Sequence, residues 1–328
     1  MSLPLPSELY IEVTNRCNSR CETCVHTFRE PEPFRDVVLD EFCGLVDQLP
    51  VLRRVVLHGV GEPLLNRDLP AMIAHLKRRP ESPHVLFNSN AILLTPQIQT
   101  ALMEAGLDEY RISTDAAHRE LYARIRGVDA FDQMVANVTA FARSIRQTGD
   151  GPRLSLWLTA IRENLSELPH LVRLAQRMGV GEVYVHRMVY HGGGLAQKDQ
   201  SVFRAMRSAE EALLAEAEML AERLGISFRA SGATTPRGSL LSTDGDEKPW
   251  AECRRPSTLM YISANGNVLP CCLSPFTTGD YDGLVLGNAF RASLAEIWNG
   301  AAYRRFRAAL QSDVPWESCD RCGVLWSL

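Results

Sequence analysis

Short runs of alternating apolar and polar residues take turns with longer stretches of helical period along the first 225 residues. Leu9 to Thr14 reads as a strand, Leu39 to Leu49 as a helix and Arg54 to Leu57 as the next strand. A helix over 69–79 leads to a strand over 84–88. Thr95-Pro96 then supplies the N-cap and first turn of a helix closed by Gly106. A strand over 109–113 precedes helices near 117–125 and 130–146. The strand over 154–160 is followed by a helix from its N-cap Asn164 to Met178, closed by Gly179. The strand over 182–188 ends at His191-Gly192-Gly193-Gly194, and a last helix spans about 201–224. Six β/α repeats in series predict an α/β fold with a parallel sheet and right-handed crossovers.

Alternation within the strands separates two faces. Val55 and Leu57, Val85 and Phe87, Tyr110 and Ile112, Leu154, Leu156 and Leu158, and Val183 and Val185 form the apolar face, predicted to meet the helices. The other face carries Glu12 and Thr14, His58, Asn88 and Asn90, Arg111, Ser113 and Asp115, Ser155, Trp157 and Thr159, and Tyr184 and His186. A closed small barrel fills its interior with branched aliphatics. This polar row predicts an opened barrel that holds a polar ligand.

Past residue 225 the pattern changes. Ile226 to Arg229 reads as one more strand, and Ser231 to Lys248 is a flexible linker rich in Gly, Ser, Thr and Asp. Tyr261 to Val268 is hairpin-like about Asn265-Gly266, and helices near 292–299 and 301–311 follow. Two domains are expected, 1–225 and 226–328.

The length of 328 residues and the 45% hydrophobic content suit a globular protein with a sizeable core. A formal net charge of −4 gives no sign of a nucleic-acid surface. No apolar run approaches a membrane span and no signal peptide is evident, so a cytoplasmic location is expected. With no export signal, the nine cysteines point to metal ligands rather than disulfides. Cys17, Cys21, Cys24 and Cys43 stand near the start; Cys253, Cys271, Cys272, Cys319 and Cys322 stand in the last quarter. That spacing predicts two metal sites.

Cys17, Cys21 and Cys24 crowd three thiols onto one loop at the end of the first strand. Three ligands leave a position of a metal centre open, whereas structural zinc and electron-transfer clusters take four. The CxxxCxxC loop resembles that of the radical S-adenosylmethionine (SAM) enzymes. The residue before its last cysteine, often aromatic in that family, is Thr23 here. The resemblance implies a partial (β/α)6 TIM-like barrel, a SAM-bound [4Fe-4S] cluster on Cys17, Cys21 and Cys24, and a 5′-deoxyadenosyl radical. It also implies an electron donor such as flavodoxin or ferredoxin. Gly59-Val60-Gly61-Glu62-Pro63 resembles the family's SAM-binding turn. Gly61, Glu62, Asn88, Asn90, Ser113, Asp115 and Arg126 are the cofactor contacts that follow, and for Arg126 a solvated surface charge is the alternative.

Cys253, Cys271, Cys319 and Cys322 form a set of four that suits either a closed [4Fe-4S] cluster or structural zinc. The segments from Ile262 to Cys271 and from Leu286 to Asn299 resemble the SPASM/twitch extension of radical SAM enzymes, a small α+β domain, and favour an auxiliary cluster. Spacing does not separate Cys271 from Cys272; Cys271 is assigned as the ligand, and Cys43 is read as core. The resemblance is to the butirosin-pathway dehydrogenase subgroup. It implies a small sugar, cyclitol or nucleoside-like substrate oxidised from alcohol to ketone, with Tyr184, His186 and Arg187 as candidates for positioning or deprotonation. Epimerisation, with Cys272 or Cys43 as hydrogen donor, decarboxylation and peptide modification stay open as alternatives. Against the last, the compact tail and the start of the chain at the barrel are expected to suit a small substrate.

Overall fold

A computed structural model of the chain describes residues 3–29, 32–189, 191–232, 234–241, 249–277 and 281–320. Seven strands pair in chain order, each parallel to the last: β1 (Glu8–Ile11), β2 (Arg54–Val56), β3 (His84–Ser89), β4 (Glu109–Ser113), β5 (Arg153–Ala160), β6 (Glu182–Arg187) and β7 (Ser227–Ala230). Helices α1 (Val25–Phe28), α2 (Leu39–Val46), α3 (Leu69–Lys77), α4 (Pro96–Glu104), α5 (Arg119–Arg126), α6 (Phe131–Thr148), α7 (Leu168–Met178) and α8 (Ser208–Leu224) lie in the connections. The architecture is the expected α/β partial barrel with a mostly parallel sheet.

The apolar parity forms the wall against the helices. Val55, Val85, Phe87, Tyr110, Ile112, Leu156, Leu158, Val183 and Val185 are all buried. Tyr110 meets Phe87 edge-on at 5.0 Å and Phe141 of α6 at 5.8 Å. Each such aromatic contributes roughly 1.5–3 kcal/mol through burial.

The C-terminal region joins the same sheet. β8 (Leu259–Ile262) lies parallel to the free side of β1, with Leu9 opposite Met260 and Ile11 opposite Ile262. β9 (Asn267–Leu269) and β10 (Gly287–Asn288) follow antiparallel, giving the order β10-β9-β8-β1-β2-β3-β4-β5-β6-β7. β8 and β9 are the expected hairpin, turning at Gly266 with φ +82°. Glu32 accepts hydrogen bonds from Ser263, Asn265, Asn267 and Tyr281, which ties the region to the loop after α1. The expected division at residues 225 and 226 falls between α8 and β7, and strands on both sides of it belong to one sheet.

Three expectations change. Asn164 does not cap α7; it sits in a 3-10 turn, and Glu167 precedes the helix. Its amide donates to the Asp115 and Thr159 carbonyls at 3.0 and 2.9 Å and accepts from Ile161 N, so it braces the ends of β4 and β5. α8 starts at Ser208 rather than 201, because the preceding segment makes a 3-10 turn and a bridge from Ser201 to Ile161. The expected linker 231–248 contains a short helix, Pro236–Leu241, buried through Leu240 and Ser239; residues 233 and 242–248 lie outside the described residues. Among the described residues no helix is long and apolar enough to cross a membrane.

Candidate active site

The cysteine loop leaves β1 at the carboxyl end of the sheet and is pinned along its length. Asn15 donates to Pro33 O at 2.9 Å and accepts from Arg35 N at 2.7 Å, while Thr14 Oγ1 donates to Asp36 at 2.6 Å. Cys24 N donates to Cys21 O at 3.1 Å and Thr27 Oγ1 to the same carbonyl at 2.8 Å, closing the turn that starts α1. Two glycines permit close approach of neighbouring backbone. A Cβ at Gly61 would collide with the Thr14 carbonyl, and one at Gly127 with the Arg20 carbonyl. Gly127 also has φ +63°, which glycine adopts without strain.

Cys17, Cys21 and Cys24 line a cavity of about 250 Å³ at the carboxyl ends of the strands. Its wall includes Gly61, Glu62, Asn88, Asn90, Ser113, Asp115 and Arg126, so every residue expected to contact the cofactor meets this one space. Burial, with repulsion from Cys21, pushes the thiols of Cys17 and Cys24 up to about 11 and about 12; burial also raises Cys21. Three soft sulfur donors meeting one cavity are the set that holds an iron–sulfur centre with one position left open. The donor set therefore fits a cluster. Asn88 Oδ1 is buried without a partner among the described residues, as is Arg126 Nε, leaving an acceptor and a donor in the wall for a polar ligand.

Glu62 and Asn90 hold the wall in place. Glu62 accepts from Ser89 Oγ and Asn90 N at 2.7 Å each and from Leu64 N at 3.1 Å. Asn90 Nδ2 donates to Asn18 Oδ1 at 2.6 Å and Ser19 Oγ at 3.1 Å, joining β3 to the loop between Cys17 and Cys21. Asp115, at φ +60°, accepts from Arg126 Nη1 at 2.8 Å and from Thr159 N at 2.7 Å. Arg126 is thus a buried ion-pair member rather than a solvated charge. Burial alone would lower its pKa, but Cys21 and Asp115 hold it raised.

The three residues expected to position or deprotonate substrate separate. His186 lines the cavity, and burial, then the charges of Arg255, Arg111 and Arg187, lower its pKa to about 4, so it is a neutral imidazole. Tyr184 lies behind the wall, stacked on Trp157 at 3.9 Å. Arg187 turns away from the cavity: it donates through Nε to Ser239 Oγ at 3.0 Å and stacks on Phe203 at 4.0 Å. Its odd position beside Val183 and Val185 put it on the helix-facing parity, a signal present in the sequence. The cavity wall also contains Tyr10, His58, Arg111, Trp157 and Tyr261, none assigned a role from sequence, although His58, Arg111 and Trp157 lay on the polar parity; Cys272, the hydrogen donor of the epimerisation alternative, lines it too. Asn88 N donates to His58 Nδ1 at 3.1 Å, and burial and Arg111 lower this imidazole to about 3.

In the C-terminal region, burial and the neighbouring Cys271 raise the thiols of Cys253 and Cys319, the latter to about 12. Cys272 instead faces the cavity beside Tyr10. Cys271 also meets Ser274 Oγ at 3.3 Å. Among the described residues no three His, Cys, Asp or Glu side chains close on a point as ligands of a single ion would, and Cys322 lies outside those residues. Cys43 packs half-buried against the core.

A family model of the radical SAM superfamily matches residues 11–175, and one of the SPASM iron–sulfur cluster-binding domain matches residues 253–323. The PqqA peptide cyclase of Granulibacter bethesdensis is 28% identical over 325 residues, covering 98% of this chain and 81% of that protein. Streptococcus suis SuiB bound to S-adenosylmethionine shares the fold with a TM-score of 0.71 at 18% identity, over 99% of this chain and 72% of that one. SuiB is also known bound to its precursor peptide SuiA. BtrN in complex with AdoMet and 2-DOIA has a TM-score of 0.51 at 16% identity, over 98% of this chain and 94% of that one.

Proposed function

This chain belongs to the radical SAM superfamily and is an enzyme, and we propose that its substrate is a peptide in which it forms a new intramolecular bond. The observation that carries this reading is the likeness to a PqqA peptide cyclase, which runs through 98% of this chain and so spans both matched domains. The expected sugar or cyclitol substrate has a weaker basis, since the likeness to BtrN is one of fold.

The matched domains bring a SAM-binding [4Fe-4S] cluster and an auxiliary iron–sulfur cluster. When bound, these groups and SAM supply a 5′-deoxyadenosyl radical that takes a substrate hydrogen atom, and an acceptor for the electron released on product formation. Cys17, Cys21 and Cys24 would hold the first cluster, and Cys253, Cys271, Cys319 and Cys322 the second. Asn88 Oδ1, Ser113 and the Gly61 backbone would hold SAM, and Arg126 would take up its carboxylate. Glu62, Asn90 and Asp115 act through others, fixing the wall by their internal hydrogen bonds. His186, a neutral imidazole in the wall, would position the substrate by hydrogen bonding. Trp157 and Tyr184 shield the cavity floor from water. A reduced flavodoxin or ferredoxin delivers the starting electron.

A second reading is oxidation of a small amino-cyclitol alcohol, which the polar wall of Asn88, Asn90, Ser113 and His186 would suit. Incubation with SAM and reductant, offering PqqA-type precursor peptides and amino-cyclitols in parallel, decides between them. A peptide that loses two hydrogens and gains a fragmentation-resistant internal loop supports the first. An oxidised amino-cyclitol with every peptide unchanged overturns it.

A further inference from the structure

We infer that the cavity floor binds a carboxylate of the substrate through the unpartnered Nη1 of Arg111, beside Trp157. Arg111 is 6% exposed and lines the cavity. Its Nε donates to Glu109 Oε1 at 2.8 Å, and Nη2 reaches Glu109 Oε2 at 3.4 Å. Nη1 is buried with no partner among the described residues. The guanidinium lies 4.3 Å over the Trp157 ring, which is itself backed by Tyr184 and tethered by Nε1 to Ser155 Oγ at 2.8 Å. A planar donor fixed on an aromatic face, with one buried N–H left over, suits a planar carboxylate.

The local charge agrees. Glu109 does not neutralise Arg111 alone: Arg153 Nη2 is 3.0 Å from it and His84 Nε2 is 3.4 Å away. Burial would raise the Glu109 carboxyl, but these hydrogen bonds and charges hold it well below the usual range. The acidic residues of the cavity wall are Glu62 and Asp115, and both are engaged by other donors. The imidazoles of His58 and His186 are neutral there. The floor thus presents a positive charge, while the carboxylates of the wall are already engaged by other donors.

Position separates this site from the cofactor. Ser113 and Asp115 follow Arg111 at two-residue steps toward the cysteine loop, where Arg126 stands beside Cys21. Arg111 lies deeper in the barrel. Resting on the peptide reading, the carboxylate is that of an aspartate or glutamate side chain; a free small acid is the other source.

The test is calorimetric titration of the SAM-loaded holoenzyme with N-acetyl-glutamate N-methylamide, its glutamine counterpart and glutarate. The capped glutamate is expected to bind about 10- to 100-fold tighter than the glutamine compound, the range of a charge-assisted hydrogen bond. Arg111→Gln is expected to erase that preference, and Arg111→Lys, which keeps the charge, to retain part of it should the first variant fail to fold. Equal binding of the two capped compounds, or a preference that survives Arg111→Gln, overturns the proposal. A preference seen only without SAM also overturns it, assigning Arg111 to the cofactor's carboxylate. Glutarate binding in place of the capped glutamate supports the carboxylate site and overturns the peptide as its source.

Discussion

Arg126 donates through Nη1 to Asp115 Oδ2 at 2.8 Å, and the two side chains are 11% and 3% exposed. The pair joins the end of α5 to the end of β4 beside Cys21, so the wall of the cavity and the support of the cysteine loop are one structure. Asp115→Ala strips Arg126 of its counterion and places alanine at φ +60°. The expected loss is about 3–5 kcal/mol of stability, the range for breaking a buried ion pair. Asp115→Asn, which tolerates the left-handed backbone, loses less. Anaerobic urea unfolding measures both, and equal stability of Asp115→Ala and wild type would count against this account.

Gly61→Ala tests the contact between the second β/α turn and the cysteine loop. The added methyl meets the backbone of Thr14 and Arg16, which cannot rotate away. The loop shifts, and both iron content and deoxyadenosine formation fall, the latter on the order of 100-fold for a displacement near 1 Å. Retained iron together with full SAM cleavage would show that the turn yields without moving the loop.

The adjacent cysteines are expected to differ. Cys271→Ala lowers iron from about eight to about four per chain, the loss of one four-iron cluster. Cys272→Ala leaves iron in place, because this thiol lies beside Tyr10 in the cavity wall. Iron analysis and electron paramagnetic resonance of the reduced variants read the outcome directly. The reverse pattern would exchange the two assignments.

His58 and His186 make stability fall in acid. Their folded pKa values are lowered to about 3 and about 4, against an ordinary 6.5, chiefly by burial. Below pH 6.5 the unfolded chain therefore binds protons that the folded chain refuses. Their contribution is complete above that pH and is lost as pH falls toward 4 and then 3. Urea unfolding between pH 7 and 5 should show this slope, reduced by up to one proton in His186→Gln.

Arg187→Met is a stability variant. It leaves the Ser239 carbonyl and hydroxyl without their donor, a cost of about 1–3 kcal/mol, while deoxyadenosine formation persists because the side chain stands outside the cavity. Loss of SAM cleavage in a folded Arg187→Met protein would place it back in the site.

Periodicity and spacing are local properties of a chain, so the β/α alternation, the two faces of the strands and the three-cysteine loop were legible from the residues alone. Even the outward turn of Arg187 was written in its parity. Tertiary structure decided what depends on residues far apart in the chain. The pairing of β8 with β1 brings Cys272 and Tyr261 to the cavity that begins at Cys17. Burial makes Arg126 an ion-pair partner and keeps His186 neutral, and neither follows from the residue type. The cysteine loop that first marked this chain is positioned by Gly61, Asn90 and Gly127, from three separate connections of the barrel. Their roles arise only where backbones approach too closely for another atom, or where an amide finds its partner across the sheet.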